Sequence, residues 1–198
     1  MGSPSISADV APINAYDNLG SIQFNGIDDY LLLKNPVSSP PTTDFTFTLW
    51  LKTTDVGADD DRPWNGKGIL WADIGGGAND MIPMALVGKR LSFGTGGGSN
   101  GDHHIVSAHD ISTGEWVHVA VTRSVVDGVE TKRVYVNGLL SSDDTNDSTV
   151  VLSANDRLAI GGNPLDGYFI NANIDDVRFY AAELSAEEIA QIAQGSLR

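Results

Sequence analysis

Two glycine-rich stretches carry side chains suited to holding a cation or a polyol: GGGAND at residues 75–80 and GGGSNGD at 96–102. They share a run of three glycines, a small residue, an asparagine and a nearby aspartate. Asn79, Asp80, Asn100 and Asp102 offer the hard oxygen donors that calcium takes, and glycine lets backbone carbonyls approach a ligand closely. A calcium ion held by Asn79, Asp80 and Asp102, with coordination sites left open, would accept vicinal sugar hydroxyls. Trp71, Asp73, His103 and His104 flank the two stretches as candidate ring and carboxylate contacts. The plainer alternatives are hairpin turns for the Gly-Asn-Asp runs and a core position for Trp71.

Paired carboxylates recur elsewhere, as Asp28-Asp29 in FNGIDDYLLL and Asp175-Asp176 in NIDDVRFY. Adjacent side chains on a strand point to opposite faces, whereas glycoside hydrolysis needs two carboxyls facing one cleft, roughly 5–9.5 Å apart. Neither pair therefore reads as catalytic. The same divergence separates His103 from His104, and with no cysteine in the chain a zinc site is disfavoured. The loop TTDVGADDDRPWNGKG (53–68) is a third candidate, with Asp59-Asp60-Asp61 as part of a calcium loop and Arg62 and Trp64 as sugar contacts. It lacks the spacing and closing glutamate of an EF-hand, and the competing reading is a solvated turn.

The composition restricts what these residues serve. A formal net charge of −14 over 198 residues repels phosphate backbones and anionic lipid, which argues against nucleic-acid partners. No run reaches the roughly 18 apolar residues of a membrane span, so membrane insertion is not expected. Asp outnumbers Glu by 21 to 5, beside 22 glycines. Asp favours turns where Glu favours helices, so the bias indicates a loop-rich β protein. Met1-Gly2-Ser3 reads as a cloning remnant and residues 4–198 as a single domain.

Strands must position these loops. FTFTLWLK (45–52) and EWVHVAVTR (115–123) alternate with period two, and HHIVSAH, RVYV, RLAI and VRFY are shorter β-rich runs. Asp127-Gly128 and Asn137-Gly138 are two-residue hairpin signals. Two strand-like runs, MIPMALV and RLSFGT, meet tightly at Gly88-Lys89. That up-down path returns both glycine-rich loops to one end and predicts that Asn79, Asp80, Asn100 and Asp102 share a rim. Continued alternation sends Asp127, SSDDTNDS (141–148) and GNPLDG (162–167) toward the same end and the 53–68 loop to the other, unless its length lets it fold back. The only helix signal is late: Ser185 as N-cap, Glu188 as its capping-box partner, Leu184 with Ile189 as staple, and Gly195 as C-cap. This helix is expected over a sheet edge or a sandwich end. The fold class is all-β, an antiparallel β-sandwich with one short C-terminal helix.

The blocks SIQFNGIDDYLLL, FTFTLWLKT, GEWVHVAVTR, RVYVNGLL, RLAIGG and NANIDDVRFYAAELSAEEIAQI resemble, in order, those of laminin-G-like, concanavalin A-like jelly-roll domains. The resemblance spans nearly the whole chain. It implies a jelly roll whose first and last strands lie side by side, and it makes Trp116 and His118 packing residues. With those strands adjacent, Asp28 and Asp175 become candidate ligands of a structural calcium, Asp176 beside them. The alternative has them capping turns or pairing with Arg178 or Lys34. Related glucanases carry Glu and Glu on alternate residues with an Asp between. None of Glu115, Glu130, Glu183, Glu187 or Glu188 has an Asp two positions later, so an enzyme is not expected. The resemblance points to glycan-binding modules, accessory domains of secreted hydrolases and parts of adhesins. The expectation is a monomeric, calcium-dependent, lectin-like module of a larger secreted or cell-surface bacterial protein. A structural or peptide-binding module is the first alternative, a hydrolase or lyase the second.

Overall fold

The computed structural model describes residues 2–34, 43–73, 80–96, 102–146, 152 and 157–196. Among them run β1 (Ser5–Ser7), β2 (Ser21–Asn25), β3 (Leu31–Lys34), β4 (Phe45–Lys52), β5 (Lys67–Trp71), β6 (Met81–Val87), β7 (Arg90–Thr95) and β8 (His103–Asp110). They are followed by β9 (Trp116–Val126), β10 (Val129–Val136), β11 (Leu139–Asn146), β12 (Arg157–Ile160), β13 (Gly162–Asn163), β14 (Tyr168–Phe169), β15 (Asn171–Tyr180) and the helix α1 (Ala186–Ala193). Two antiparallel sheets face each other, ordered β1-β2-β15-β4-β9-β10-β11 and β3-β12-β5-β6-β7-β8, with β13-β14 as a small extra ladder. This is the jelly-roll sandwich.

Alternation decides which residues meet between the sheets. Phe45, Phe47, Leu49 and Leu51 of β4 and Val117, Val119 and Val121 of β9 join Leu70, Leu86, Leu91 and Phe93 in the core. Each such side chain, removed from water, contributes about 1.5–3 kcal/mol. The intervening residues face outward and are covered in turn. Trp50 packs on Ala11 and Ile13 of the N-terminal segment, and Ala120 and Tyr135 pack on Ile189 of α1 with Leu184 beside it.

Local signals act where they are expected. Asp127-Gly128 and Asn137-Gly138 both hold positive φ at their two positions, 51° and 80°, then 51° and 79°, which matches the twist of the strands they join. Ser185 and Glu188 form the reciprocal capping box. Gly195 adopts φ 67°, and the N–H groups of Gly195 and Ser196 close onto Ile192 and Gln191. The helix lies over the outer face of the seven-stranded sheet beside its edge strand β11, as expected of a helix at a sheet edge, with Ile189 packed on Ala120 and Tyr135. Among the described residues no helix is long and apolar enough to cross a membrane.

Candidate functional site

Strand direction sorts the loops between two ends. Met81 pairs with Thr95 and Thr95 with His103, and the Gly96 N–H donates to the Asp80 carbonyl at 2.8 Å. The described flanks of both glycine-rich stretches therefore meet at one end, the rim. Asn79 and Asn100, expected beside them, lie outside the described residues. Asp73, which follows β5, reaches the same place. A cleft of about 230 Å³ opens there, lined by Pro63, Trp64, Asp73, Asp80, Ile82, Gly94, Thr95, Gly96 and Asp102.

Trp64 reaches this cleft by a route that strand alternation does not give. The chain after β4 starts at the far end, where Gly57 donates to the Gly88 carbonyl and Gly88 to Ala58, both at 2.7 Å. It then runs back along the outer face of β7. Arg90 bridges Asp61 at 2.8 Å, and Ser92 Oγ donates to the Asp61 carbonyl at 2.7 Å. Arg62 and Asn65 both donate to Asp60, and these contacts hold the Asp60 carboxyl well below the usual carboxylate range. Gly94 admits the loop: a Cβ there would lie 2.7 Å from Pro63 Cγ. The Trp64 ring finally stands edge-on to His104, centroids 5.6 Å apart. Burial lowers the His104 pKa, with His103 adding to the effect, so a neutral ring backs the tryptophan. The cleft thus joins one aromatic wall, an apolar floor at Ile82 and three carboxylates, a set able to stack on a sugar ring and accept hydrogen bonds from its hydroxyls.

Other expected site residues go elsewhere. Trp71 is 2% exposed and packs with Ile82, Ala85 and Ala159, so it is a packing residue, as its alternative reading had it. His103 points between the sheets, away from His104, to Lys132 and Asn146. Asp28 and Asp175 do not converge. β2 and β15 are neighbours, but the register places Asn171 opposite Asn25. Asp175 then lies four residues along β15, about 13 Å from that pair at the usual rise, while Asp28 turns beyond it. Asp28 accepts from Asn25 Nδ2 at 3.0 Å. Asp175 accepts from Ala11 N–H at 3.0 Å and Asn18 Nδ2 at 2.8 Å, pinning the N-terminal segment, and Asp176 pairs with Arg178. These are turn and strap roles, and the expected calcium shared by Asp28 and Asp175 does not fit two carboxylates held this far apart. GNPLDG is also displaced: Gly162 packs against Gly68 near the start of β5, at the far end. Among the described residues no group of three or more His, Asp or Glu side chains could hold a metal ion.

Residues 25–190 match a laminin G family described as the concanavalin A-like lectin/glucanases superfamily. The chain belongs to this family. No curated protein matches it. Solved structures do: domain 4 of AbnA, an extracellular GH43 arabinanase from Geobacillus stearothermophilus, in complex with arabinotriose, is similar with a TM-score of 0.69 at 21% identity, over 98% of this chain and 82% of that one. Botulinum neurotoxin type C, whose cell entry depends on interaction with two ganglioside molecules, gives a TM-score of 0.68 at 15% identity over 99% of this chain. The binding domain of botulinum neurotoxin DC, in complex with rat synaptotagmin II, gives 0.68 at 17% over 96%. This chain spans 46% and 45% of those two toxin chains. At such identities the likeness establishes the fold.

Proposed function

We propose that this laminin G domain is a non-catalytic glycan-binding module of a secreted or cell-surface protein, and that the rim cleft is its binding site. The carrying observation is Trp64, presented by a clamped loop beside Asp73, Asp80 and Asp102. The indole face stacks on the apolar face of a sugar ring, and the carboxylates accept from its hydroxyls. Neighbours of the same fold bound to arabinotriose or dependent on gangliosides support a carbohydrate ligand. The acidic surface disfavours nucleic acid. Calcium enters this reading only at the rim, with Asn79, Asp80 and Asp102 as ligands. A cleft this small takes one or two rings, so monovalent affinity is about millimolar, near −4 kcal/mol, and repetition within a longer protein raises it.

A glycan array probed with wild type, Trp64→Ala and Asp80→Ala, each with calcium and with chelator, tests the reading. The expected result is a defined set of glycans bound by wild type and lost in both variants; loss with chelator adds the ion. Binding that survives both substitutions, or an array with no bound glycan, removes the proposal. The neighbour solved with synaptotagmin II favours a second reading, a protein-binding module. Val126 and Val129, exposed at the β9–β10 hairpin tip, would supply its apolar contact.

A further inference from the structure

Inside the rim end, three charged side chains are wholly buried: Arg123, Glu130 and Lys132. They occupy inward positions of β9 and β10 that Val121, Val134 and Val136 fill further along the same strands. Glu130 accepts from Arg123 Nε through Oε1. Through Oε2 it accepts from two other nitrogens, Lys132 Nζ at 2.5 Å and Asn146 Nδ2 at 2.8 Å. Those same two nitrogens meet again at His103 Nδ1, at 2.8 and 2.5 Å, while His103 Nε2 faces Asp144 at 3.2 Å. With two donors aimed at Nδ1, the ring proton sits on Nε2. Two acceptors shared by one pair of nitrogens hold the lysine amine against the asparagine amide. The register explains the meeting: Glu130 lies opposite Asn146 and Lys132 opposite Asp144, so Lys132 and Asn146 are diagonal neighbours on one face, within reach of a long side chain.

A simple buried ion pair does not account for this cluster. Arg123 already balances Glu130, and a second buried cation beside it is costly to desolvate. Burial accordingly pushes the Lys132 pKa down to about 8 against the pull of Glu130, which makes free amine accessible near neutral pH. Burial opposes the Glu130 charge, but His103, Lys132 and Arg123 hold its pKa well below the ordinary range, so it enters the reaction as the ionised carboxylate, in direct contact with both nitrogens.

We propose that Lys132 and Asn146 are joined by an intramolecular isopeptide bond that the folded protein forms itself, with Glu130 as proton shuttle. Glu130 Oε2 takes a proton from Lys132 Nζ, whose lone pair attacks Asn146 Cγ and forms the new C–N bond. Glu130 returns the proton to Nδ2, the Cγ–Nδ2 bond breaks, ammonia leaves, and the amine loses its last extra proton to solvent through Glu130. No oxidant or cofactor is consumed, and the wholly buried Lys132 and Glu130 meet Asn146 from its inner side. The product ties β10 to β11 and disposes of the surplus buried cation.

The intact mass of the purified folded protein decides the matter. The expected value is one ammonia below the sequence mass, with Lys132 and Asn146 recovered in one branched peptide after proteolysis. Lys132→Met and Asn146→Ala each return to their full sequence mass, and Glu130→Gln leaves the bond unformed. A wild-type mass equal to the sequence mass overturns the proposal even if no variant folds. So does a loss of ammonia without a branched peptide, which would be a succinimide at Asn146.

Discussion

The two outer faces of the sandwich are covered by different kinds of chain. Over the seven-stranded sheet lie the chain's two terminal segments, and both are apolar where they touch it: Ala11 and Ile13 on Trp50, Ile189 on Ala120 and Tyr135. Over the six-stranded sheet lies the loop from 53 to 66, fastened by polar contacts, Arg90 to Asp61 and Ser92 to the Asp61 carbonyl. Apolar cover packs to closure because every gap loses contact energy. A polar loop meets the sheet at discrete hydrogen bonds and leaves a gap between them, which here is the cleft beside Trp64. The closed packing thus lies on one face and the proposed binding cleft on the other.

Four experiments press on that division. Trp50→Ala, on the closed face, is expected to cost about 3–5 kcal/mol, measured by denaturant unfolding, with glycan affinity of the folded fraction unchanged. His118 makes that face acid-sensitive. Its ring is edge-on to Trp50 at 5.4 Å, and both of its nitrogens are buried without a hydrogen-bond partner among the described residues. Burial, with Arg178 nearby, lowers its pKa from 6.5 to about 4. The unfolded chain therefore binds the proton first as pH falls. Stability is whole above pH 6.5 and declines toward pH 4, by about 3 kcal/mol at roughly 1.4 kcal/mol per unit. Unfolding curves across that range check the loss, and His118→Leu should flatten it. On the open face, Trp64→Ala should weaken glycan binding by about tenfold, about 1.4 kcal/mol, in titration calorimetry. Its melting temperature should fall less than that of Trp50→Ala; the reverse order would end the comparison. The smallest effect is Ser185→Ala, about 1 kcal/mol from loss of the N-cap, with no change in ligand affinity.

The strands, both hairpins and the helix cap were legible because each rests on neighbours in sequence. FTFTLWLK alternates, Asp127-Gly128 and Asn137-Gly138 accept positive φ, and Ser185 finds Glu188 three residues on. The meeting of Asp80 with the 96–102 stretch was legible too, since one short turn at Gly88-Lys89 forces it. Three placements were not. Asp28 and Asp175 looked like partners because their strands are adjacent, but adjacency does not set register, and the Asn25–Asn171 pairing carries them apart. GNPLDG was sent to the rim by counting strands, but Ala159 lies opposite Trp71 and Ile160 opposite Leu70, so β12 runs away from the rim and carries GNPLDG to the far end. Alternation sent the 53–68 loop to the far end or, if its length allowed, folded it back; the Asp61 contacts with Arg90 and Ser92 decide for the second and bring Trp64 to the rim.

By itself the sequence determined the period-two strands, the turn chemistry and the capped helix, which depend on φ, ψ and side-chain direction over a few residues. Tertiary structure alone decided which face a long loop crosses, where a strand pair comes into register, and that Lys132, Glu130, Asn146 and His103 meet in one cluster. Those outcomes depend on distances between segments far apart in the chain. Local periodicity carries no term for such distances; closure of the core between the two sheets sets them.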